Sequence, residues 1–293
     1  MVYIIHRQMR LPVFASLLFS CAVHPACAEI RDVLKSAEID ALLARGGDRA
    51  LEERSNYAIW LKVHSGRPGP YELHRGADDI LLVRRGSATV QLGGQLQGSW
   101  EASAGDWVGT GIQGARQYRV GAGDVVHIPR HTAHRIDPGT GRFEYVVVRV
   151  FPTGENLRPH TGILAAGRIA DVVRKSEIDS TFAANATNQP LHSARNFTLN
   201  YVIYTSRSGP WEAHRGCVDI YFVHTGAARG SLGGEIENAK EDTPGEIRGA
   251  GVSGAREYDI GPGDIVVIPR TTAHHMRPTT PKLGYLLLKV WAD

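Results

Sequence analysis

Two sets of histidines and acids in this 293-residue chain have the residue types and the spacing of a metal site. In the first set, Glu72 and His74 lie two residues apart, Asp79 follows five residues after His74, and His134 follows sixty residues after it. Side chains two apart on a β-strand point to the same face, so Glu72 and His74 can form a chelating pair. Two imidazoles with one or two carboxylates can bind a divalent metal and leave positions open for a substrate or dioxygen.

The same set occurs again 140 residues further along the chain. The histidines and aspartates are the predicted metal ligands: His74, Asp79, His134, His214, Asp219 and His274. The glutamates Glu72 and Glu212 are the predicted catalytic groups, which either complete the metal shell or act as general base. The alternative is that these side chains only hydrogen-bond to one another inside a barrel. The sequence does not rank the two sets, and one active copy would be enough.

Both sets belong to an internal repeat of about 140 residues. Gly114–His134 and Gly254–His274 are identical at about two thirds of their positions, which indicates a duplicated unit. Asp32–Asp40 and Asp171–Asp179 match with an offset of 139. They predict a short helix at the start of each unit, with Ser36 as a candidate N-terminal cap of the first.

The apolar runs within each unit are short and rich in β-branched or aromatic residues. Ile80–Val83 and Tyr145–Val148 recur as Ile220–Val223 and Tyr285–Leu288, and turns of Gly, Pro and Asp separate such runs. This pattern predicts an all-β protein of short strands with little helix.

Both units resemble the cupin family. The first cupin motif has a His-x-His pair, an acid a few residues on and a glycine seven residues beyond the acid. The second motif is Gly, five residues, Pro, one residue, Gly, two residues, His. Both units fit the spacing of the second motif, through Gly123, Pro129, His134, Gly263, Pro269 and His274. The resemblance covers nearly all of the chain after residue 28 and implies a bicupin: two tandem double-stranded β-helix (jelly-roll) barrels with short flanking helices.

This chain departs from the family pattern at three places. Glu72 stands where most metal-binding cupins have the first histidine, and Asp79 stands where they have glutamate. The second motif has His131 and Thr271 where it expects glycine, which affects a turn. The resemblance therefore implies ligand roles for His74, His134 and an acid, with Glu72 as a different ligand type at the matching place, and leaves the metal open among Fe, Mn, Cu, Ni and Zn.

The N-terminus has the pattern of a secretory signal peptide. Basic residues that include Arg7 and Arg10 precede an apolar run at residues 11–23, and Ala26-Cys27-Ala28 follows it. We predict cleavage after Ala28 and a secreted or periplasmic location, with a lipoprotein anchored through Cys21 as the alternative. The predicted domains are then residues 29–155 and 156–293.

Charge and cysteine content limit the partners of the mature chain. Removing residues 1–28 takes two of the 33 Lys+Arg and none of the 30 Asp+Glu, which leaves a net charge of +1. A chain this close to neutral, without a basic run, is not expected to bind nucleic acid. Only Cys217 remains, so no internal disulfide can form, and no later apolar run is long enough to span a membrane.

These features favour a metal-dependent enzyme acting on a small organic substrate, with oxygenase chemistry first and lyase or isomerase chemistry next. The alternative is a non-catalytic exported protein that binds a sugar, phenolic or carboxylate ligand in the same barrels, because fold does not fix function. A metal-free epimerase of the sugar-nucleotide type fits less well, since such substrates are mainly cytosolic. The fold also allows a homodimer.

Overall fold

The computed structural model describes residues 32–151, 172–205 and 207–291. The predicted signal peptide and the predicted boundary between residues 155 and 156 lie outside these ranges. Within them, no helix has the length and apolar character needed to cross a membrane.

The described residues form two short helices and 28 strands. The first repeat contains β1 (Val33–Leu34), α1 (Ser36–Ala44), β2 (Arg49–Glu53), β3 (Tyr57–Ser65), β4 (Tyr71–His74), β5 (Asp78–Arg85), β6 (Ser87–Leu92), β7 (Gln95–Gln97), β8 (Trp100–Ser103), β9 (Asp106–Gly109), β10 (Gly111–Gln113), β11 (Arg116–Gly121), β12 (Val125–Ile128), β13 (His134–Asp137) and β14 (Arg142–Val150). The second contains β15 (Val172–Val173), α2 (Lys175–Ala184), β16 (Gln189–Ser193), β17 (Phe197–Thr205), β18 (Trp211–His214), β19 (Cys217–Thr225), β20 (Ala228–Leu232), β21 (Glu235–Glu237), β22 (Lys240–Thr243), β23 (Glu246–Gly249), β24 (Gly251–Ser253), β25 (Arg256–Ile260), β26 (Ile265–Ile268), β27 (His274–Pro278) and β28 (Lys282–Trp291). The predicted low helix content is confirmed.

Each repeat builds a barrel from two six-stranded antiparallel sheets. In the first barrel, a large sheet in the order β15-β12-β5-β14-β3-β2 faces a small sheet in the order β11-β6-β13-β4-β9-β8. In the second barrel, the large sheet is β1-β26-β19-β28-β17-β16 and the small sheet is β25-β20-β27-β18-β23-β22. Alternate residues of the strands fill each interior, such as Leu81 and Val83 against Val90 in the first barrel.

The outer faces of the two large sheets pack against each other. Ile80 and Val148 of the first sheet belong to one buried cluster with Ile220 and Leu288 of the second, and both helices add side chains to it. The central strands of the large sheets are therefore buried on both faces. This explains why their sequences are continuous apolar runs rather than alternating ones.

The two repeats exchange their leading strands. Strand β1 of the first repeat pairs with β26 of the second, with Val33 opposite Val266. Strand β15 of the second repeat pairs with β12 of the first, with Val172 opposite Val126. We call each short strand and the helix after it a leading arm. Each large sheet is thus completed by the leading arm of the other repeat.

An aspartate of the opposite repeat caps each helix. The Ser36 backbone N–H donates to Asp264 Oδ1 at 2.7 Å, and the Lys175 N–H donates to Asp124 Oδ1 at 2.8 Å. The predicted cap by Ser36 is wrong: its hydroxyl accepts a hydrogen bond from Arg84 instead. A carboxylate at this position satisfies an otherwise unpaired N–H and interacts favourably with the helix dipole.

Replacing Asp264 with alanine is expected to lower the free energy of unfolding by about 1 to 2 kcal/mol, because the first helix loses its cap. Urea unfolding of the purified protein measures this loss. Asp242→Ala, at an exposed position of β22, is the matched control and is expected to have little effect. Equal stability of the two variants would show that the cap does not stabilise the leading arm.

The turn before each second-motif histidine has an unusual backbone. His131 and Thr271 both have φ of 63°, in the left-handed region that favours glycine. The N–H of His131 donates to the carbonyl oxygen of His74 at 2.7 Å, and the N–H of Thr271 donates to that of His214 at 2.7 Å. These bonds tie the second motif to the strand that carries the first, so the turn fixes the site geometry.

Candidate functional site

In the first barrel, the structure brings Glu72, His74 and His134 together. Glu72 and His74 lie on β4, and His134 begins β13 directly opposite Glu72. One ligand atom from each of the three lies within 4.8 Å of the others. Glu72 Oε1 is 3.3 Å from His134 Nε2, and the two imidazole ring centres are 5.1 Å apart. Both histidines are buried.

The second barrel repeats this arrangement with Glu212, His214 and His274, whose ligand atoms also lie within 4.8 Å of one another. Its imidazole ring centres are 5.1 Å apart, as in the first barrel. Glu212 Oε1 is 3.7 Å from His274 Nε2. The imidazole nitrogen of His274 is buried and has no hydrogen-bond partner among the described residues.

The aspartates lie beside the groups that the glutamates and histidines form. Asp79 Oδ2 is 3.7 Å from His74 Nε2, and Asp219 Oδ2 is 3.4 Å from His214 Nε2. Asp79 accepts two hydrogen bonds from the Arg149 guanidinium, at 2.8 and 2.9 Å. Asp219 contacts the Lys289 ammonium through both oxygens, at 3.0 and 3.1 Å. Asp79 and Asp219 thus each lie between a histidine of the group and a buried cation, and their role as metal ligands stays a prediction.

The sequence did not single out Arg149 and Lys289, although a signal for them exists. Each is the only charged residue in an otherwise apolar stretch, Tyr145–Val150 in β14 and Tyr285–Val290 in β28. They also occupy matching positions 140 residues apart. A charge inside a strand that is buried on both faces needs a partner, which here is the aspartate on the neighbouring strand.

Each of the four histidines has its Nδ1 next to an oxygen. His74 Nδ1 is 2.7 Å from Asp106 Oδ1, and His214 Nδ1 is 2.9 Å from Glu246 Oε2. The Nδ1 atoms of His134 and His274 lie 3.0 and 3.1 Å from the carbonyl oxygens of Thr132 and Thr272. Where the imidazole is neutral, this places the proton on Nδ1 and the Nε2 lone pair towards the group, as outer hydrogen bonds do in metal sites. Asp106 and Glu246 were also missed, although both are acids at an offset of 140.

Burial and neighbouring charges shift the pKa values of the glutamate and histidine side chains of the site. Burial would raise the pKa of Glu72, but the hydrogen bond to His134 and its charge lower it to about 2. Burial lowers the pKa of His74, which keeps this imidazole neutral. In the second barrel, burial would lower the pKa of His214, but Asp219 and Glu246 raise it to about 9. A divalent cation held by His214 would have to displace this proton, and the same carboxylates would favour its positive charge.

Tyrosines lie beside the group in the second barrel. Tyr221 and Tyr285 are buried, and their rings stack at 4.3 Å between centres. The Tyr221 hydroxyl donates to Asp219 Oδ2 at 3.5 Å. Burial raises the pKa of both phenols well above the ordinary value, so they remain neutral hydrogen-bond donors.

A cavity of about 430 Å³ lies between the two large sheets, away from both histidine groups. Phe222 contributes to its apolar lining, and Arg84 and His224 line it as well. Each of these two polar side chains already has an aspartate partner. Arg84 donates to Asp40 at 3.0 Å, and His224 Nε2 is 2.7 Å from Asp179 Oδ1. The cavity therefore holds none of the predicted site residues.

Known proteins resemble this chain in structure rather than in sequence. No protein-family model and no curated protein matches it. A cupin 2 conserved barrel domain protein from Leptotrichia buccalis matches with a TM-score of 0.53 and 10% identity, over 83% of this chain and 88% of that chain. A salicylate 1,2-dioxygenase from Pseudaminobacter salicylatoxidans matches with a TM-score of 0.57 and 12% identity, over 92% and 87%. This chain has the cupin fold. The predicted all-β cupin architecture is thereby confirmed.

The donor set of each group fits a divalent transition metal. Two imidazole nitrogens and one carboxylate oxygen are the ligands of facial sites that keep coordination positions open. His274 Nε2 is buried and has no hydrogen-bond partner in the ranges that the structure covers, and a metal ion satisfies such an atom. Glu212, His214 and His274 would hold the metal in the second barrel, and Glu72, His74 and His134 are their counterparts in the first.

Proposed function

We propose that this protein is a metal-dependent cupin enzyme of the oxygenase type that acts on a small organic substrate. The observation that carries the proposal is the convergence of one carboxylate and two imidazoles inside a barrel. Lyase or isomerase chemistry on the same metal is the next reaction class. A bound divalent metal would supply Lewis acidity and open positions for substrate and dioxygen.

The side chains around the group have separate roles in this proposal. The glutamate and the two histidines hold the metal, and Glu246 orients His214 from outside. The ion pair of Asp219 with Lys289 provides a fixed cation and anion next to the reacting groups. The neutral phenol of Tyr221 can donate a hydrogen bond at this place without adding charge.

The comparison with a salicylate 1,2-dioxygenase supports an aromatic carboxylate as the first substrate class to test. A non-catalytic ligand-binding protein is the second candidate. It is favoured by the first barrel, where the histidine group is already in contact with Arg149. Turnover of any substrate by the metal-loaded protein would rule this candidate out.

Export is a further part of the proposal and rests on residues 1–28 alone. Their basic start, apolar run and Ala-x-Ala end support cleavage after Ala28 and a secreted or periplasmic enzyme. N-terminal sequencing of the protein from its native compartment tests this. A mature chain that begins at Met1 would contradict export through this segment.

Metal analysis of the protein isolated from its native compartment tests the proposed function. We expect a stoichiometric transition metal, and oxygen uptake when the loaded protein meets a panel of salicylate and related hydroxybenzoates. The same panel with the chelator-treated protein is the control. Absence of stoichiometric metal, with ligand binding unaffected by chelation, would contradict a metal-dependent enzyme.

Replacing Glu246 with alanine is expected to weaken metal binding by roughly 10- to 100-fold, because His214 loses the partner that fixes its ring. Titration of Mn²⁺ into the chelator-treated protein measures the affinity. Glu241→Ala, at an exposed position of the neighbouring strand β22, is the control and should leave the affinity unchanged. An unaltered affinity in Glu246→Ala would show that this carboxylate does not support the ligand.

A further inference from the structure

The metal position of the first barrel is in contact with a guanidinium. Arg149 Nη2 lies 2.9 Å from His74 Nε2, while its Nε and Nη2 also bind Asp79. His74 Nδ1 is 2.7 Å from Asp106, so the proton of a neutral imidazole is on Nδ1 and the Nε2 lone pair accepts from Arg149. A metal–imidazole bond of about 2.0 Å would use this same lone pair. Arg149 and a metal therefore compete for one atom.

The cation of the second barrel is placed differently. Lys289 Nζ contacts both oxygens of Asp219 and lies 3.7 Å from Cys217 Sγ. No contact between Lys289 and His214 or His274 occurs among the hydrogen bonds of the described residues. His274 Nε2 has no hydrogen-bond partner at all within the same part of the chain. His214 Nε2 lies 3.4 Å from Asp219 Oδ2, so in this group the neighbour of the histidine is a carboxylate and not a cation.

The different side chains explain the difference in placement. The arginine fork can bind a carboxylate through two nitrogens and still direct an N–H to a third acceptor, whereas lysine is a compact point charge. Cys217 gives the lysine a further contact on the side of Asp219, and its counterpart in the first barrel is Ala77. The residue at position 149, and at the equivalent position 289, thus differs in whether it places a cation against the neighbouring histidine.

We infer that the second barrel is the metal-binding barrel of this chain, and that Arg149 closes the first barrel to metal. The inference rests on the proposed function, because it requires that the chain binds a metal. It assigns the chemistry to Glu212, His214 and His274. It also makes the first barrel a structural partner whose histidine group is held together by protein side chains alone.

The test is the number of Co²⁺ ions bound per full-length chain, measured by metal analysis and by the visible spectrum during titration of chelator-treated protein. We expect one ion in the parent chain, none in His274→Ala and one in His134→Ala. The exchanged cations give the sharper test: Arg149→Lys should raise the number towards two, and Lys289→Arg should lower it towards zero. Circular dichroism and thermal melting show which variants are folded.

The other possible ion counts each contradict a stated part of the inference. Two ions in the parent chain, or loss of the ion in His134→Ala with retention in His274→Ala, would overturn the assignment and leave the proposed function standing. No ion in the parent chain would overturn both. One ion in the folded Arg149→Lys variant would show that the guanidinium is not what closes the first barrel.

Discussion

Replacement of His274 by alanine is expected to abolish turnover and metal retention together. Its Nε2 is one of two imidazole nitrogens in the group of the second barrel, which joins three donor residues within the described part of the chain. Loss of an outer hydrogen-bond partner of a ligand already costs roughly 10- to 100-fold in affinity, so loss of a ligand itself should cost more. The measurements are metal content after dialysis and the rate of oxygen uptake with the substrate panel.

The control for this variant is His224→Ala, which removes a histidine outside the barrel. His224 packs on Phe182 and contacts Asp179, so its loss tests whether removal of a partly buried imidazole is enough to inactivate the protein. Full activity and metal in His274→Ala would exclude the second barrel as the catalytic site.

Replacement of Lys289 by methionine is expected to lower the free energy of unfolding by about 3 to 5 kcal/mol. The Asp219 side chain is only 2% exposed, and Lys289 is its cationic partner at 3.0 Å. Without the ammonium, the buried carboxylate loses its nearest cationic partner, which costs far more than the ion pair itself contributes. Urea unfolding monitored by fluorescence measures the change.

Two further variants separate the cause of this loss. The double variant Lys289→Met with Asp219→Asn removes both charges and should recover most of the lost stability. Lys62→Met breaks an ion pair with Asp48 that is much more exposed and should cost no more than about 1 kcal/mol. A single-variant loss as small as that of Lys62→Met would contradict the view that Asp219 is buried with a charge.

The sequence predicted the histidines of the site because their signal is local and repeated. His74 lies two residues from Glu72, and His134 ends a motif that recurs 140 residues later. The partner of each aspartate could not be predicted in the same way. Asp79 meets Arg149, which is seventy residues away on another strand, and only the pairing of β5 with β14 brings them together. Spacing along one strand shows which acids lie near a histidine but not which of them a cation will bind.

The strands and barrels of the fold were also predictable from local patterns, but the contacts between the two repeats were not. The apolar runs and the repeat indicated short strands and two barrels, and the repeated segments at Asp32 and Asp171 indicated the two helices. The exchange of the leading arms was not predictable, because a two-residue strand carries almost no pattern of its own. Its pairing with β26 depends on how the two large sheets lie against each other. The cap of the first helix by Asp264 follows from the same placement.

The exchanged arms make the two halves of this protein mutually dependent. A single repeat produced alone would lack the edge strand and the helix cap that its sister supplies, and would leave the apolar outer face of its large sheet open to water. A single repeat could recover these contacts by domain swapping, in which it exchanges its leading arm with that of a second copy. The two-repeat chain therefore has the arrangement of a domain-swapped dimer whose two subunits are joined into one polypeptide. The linkage lets the two copies diverge while each remains necessary for the folding of the other.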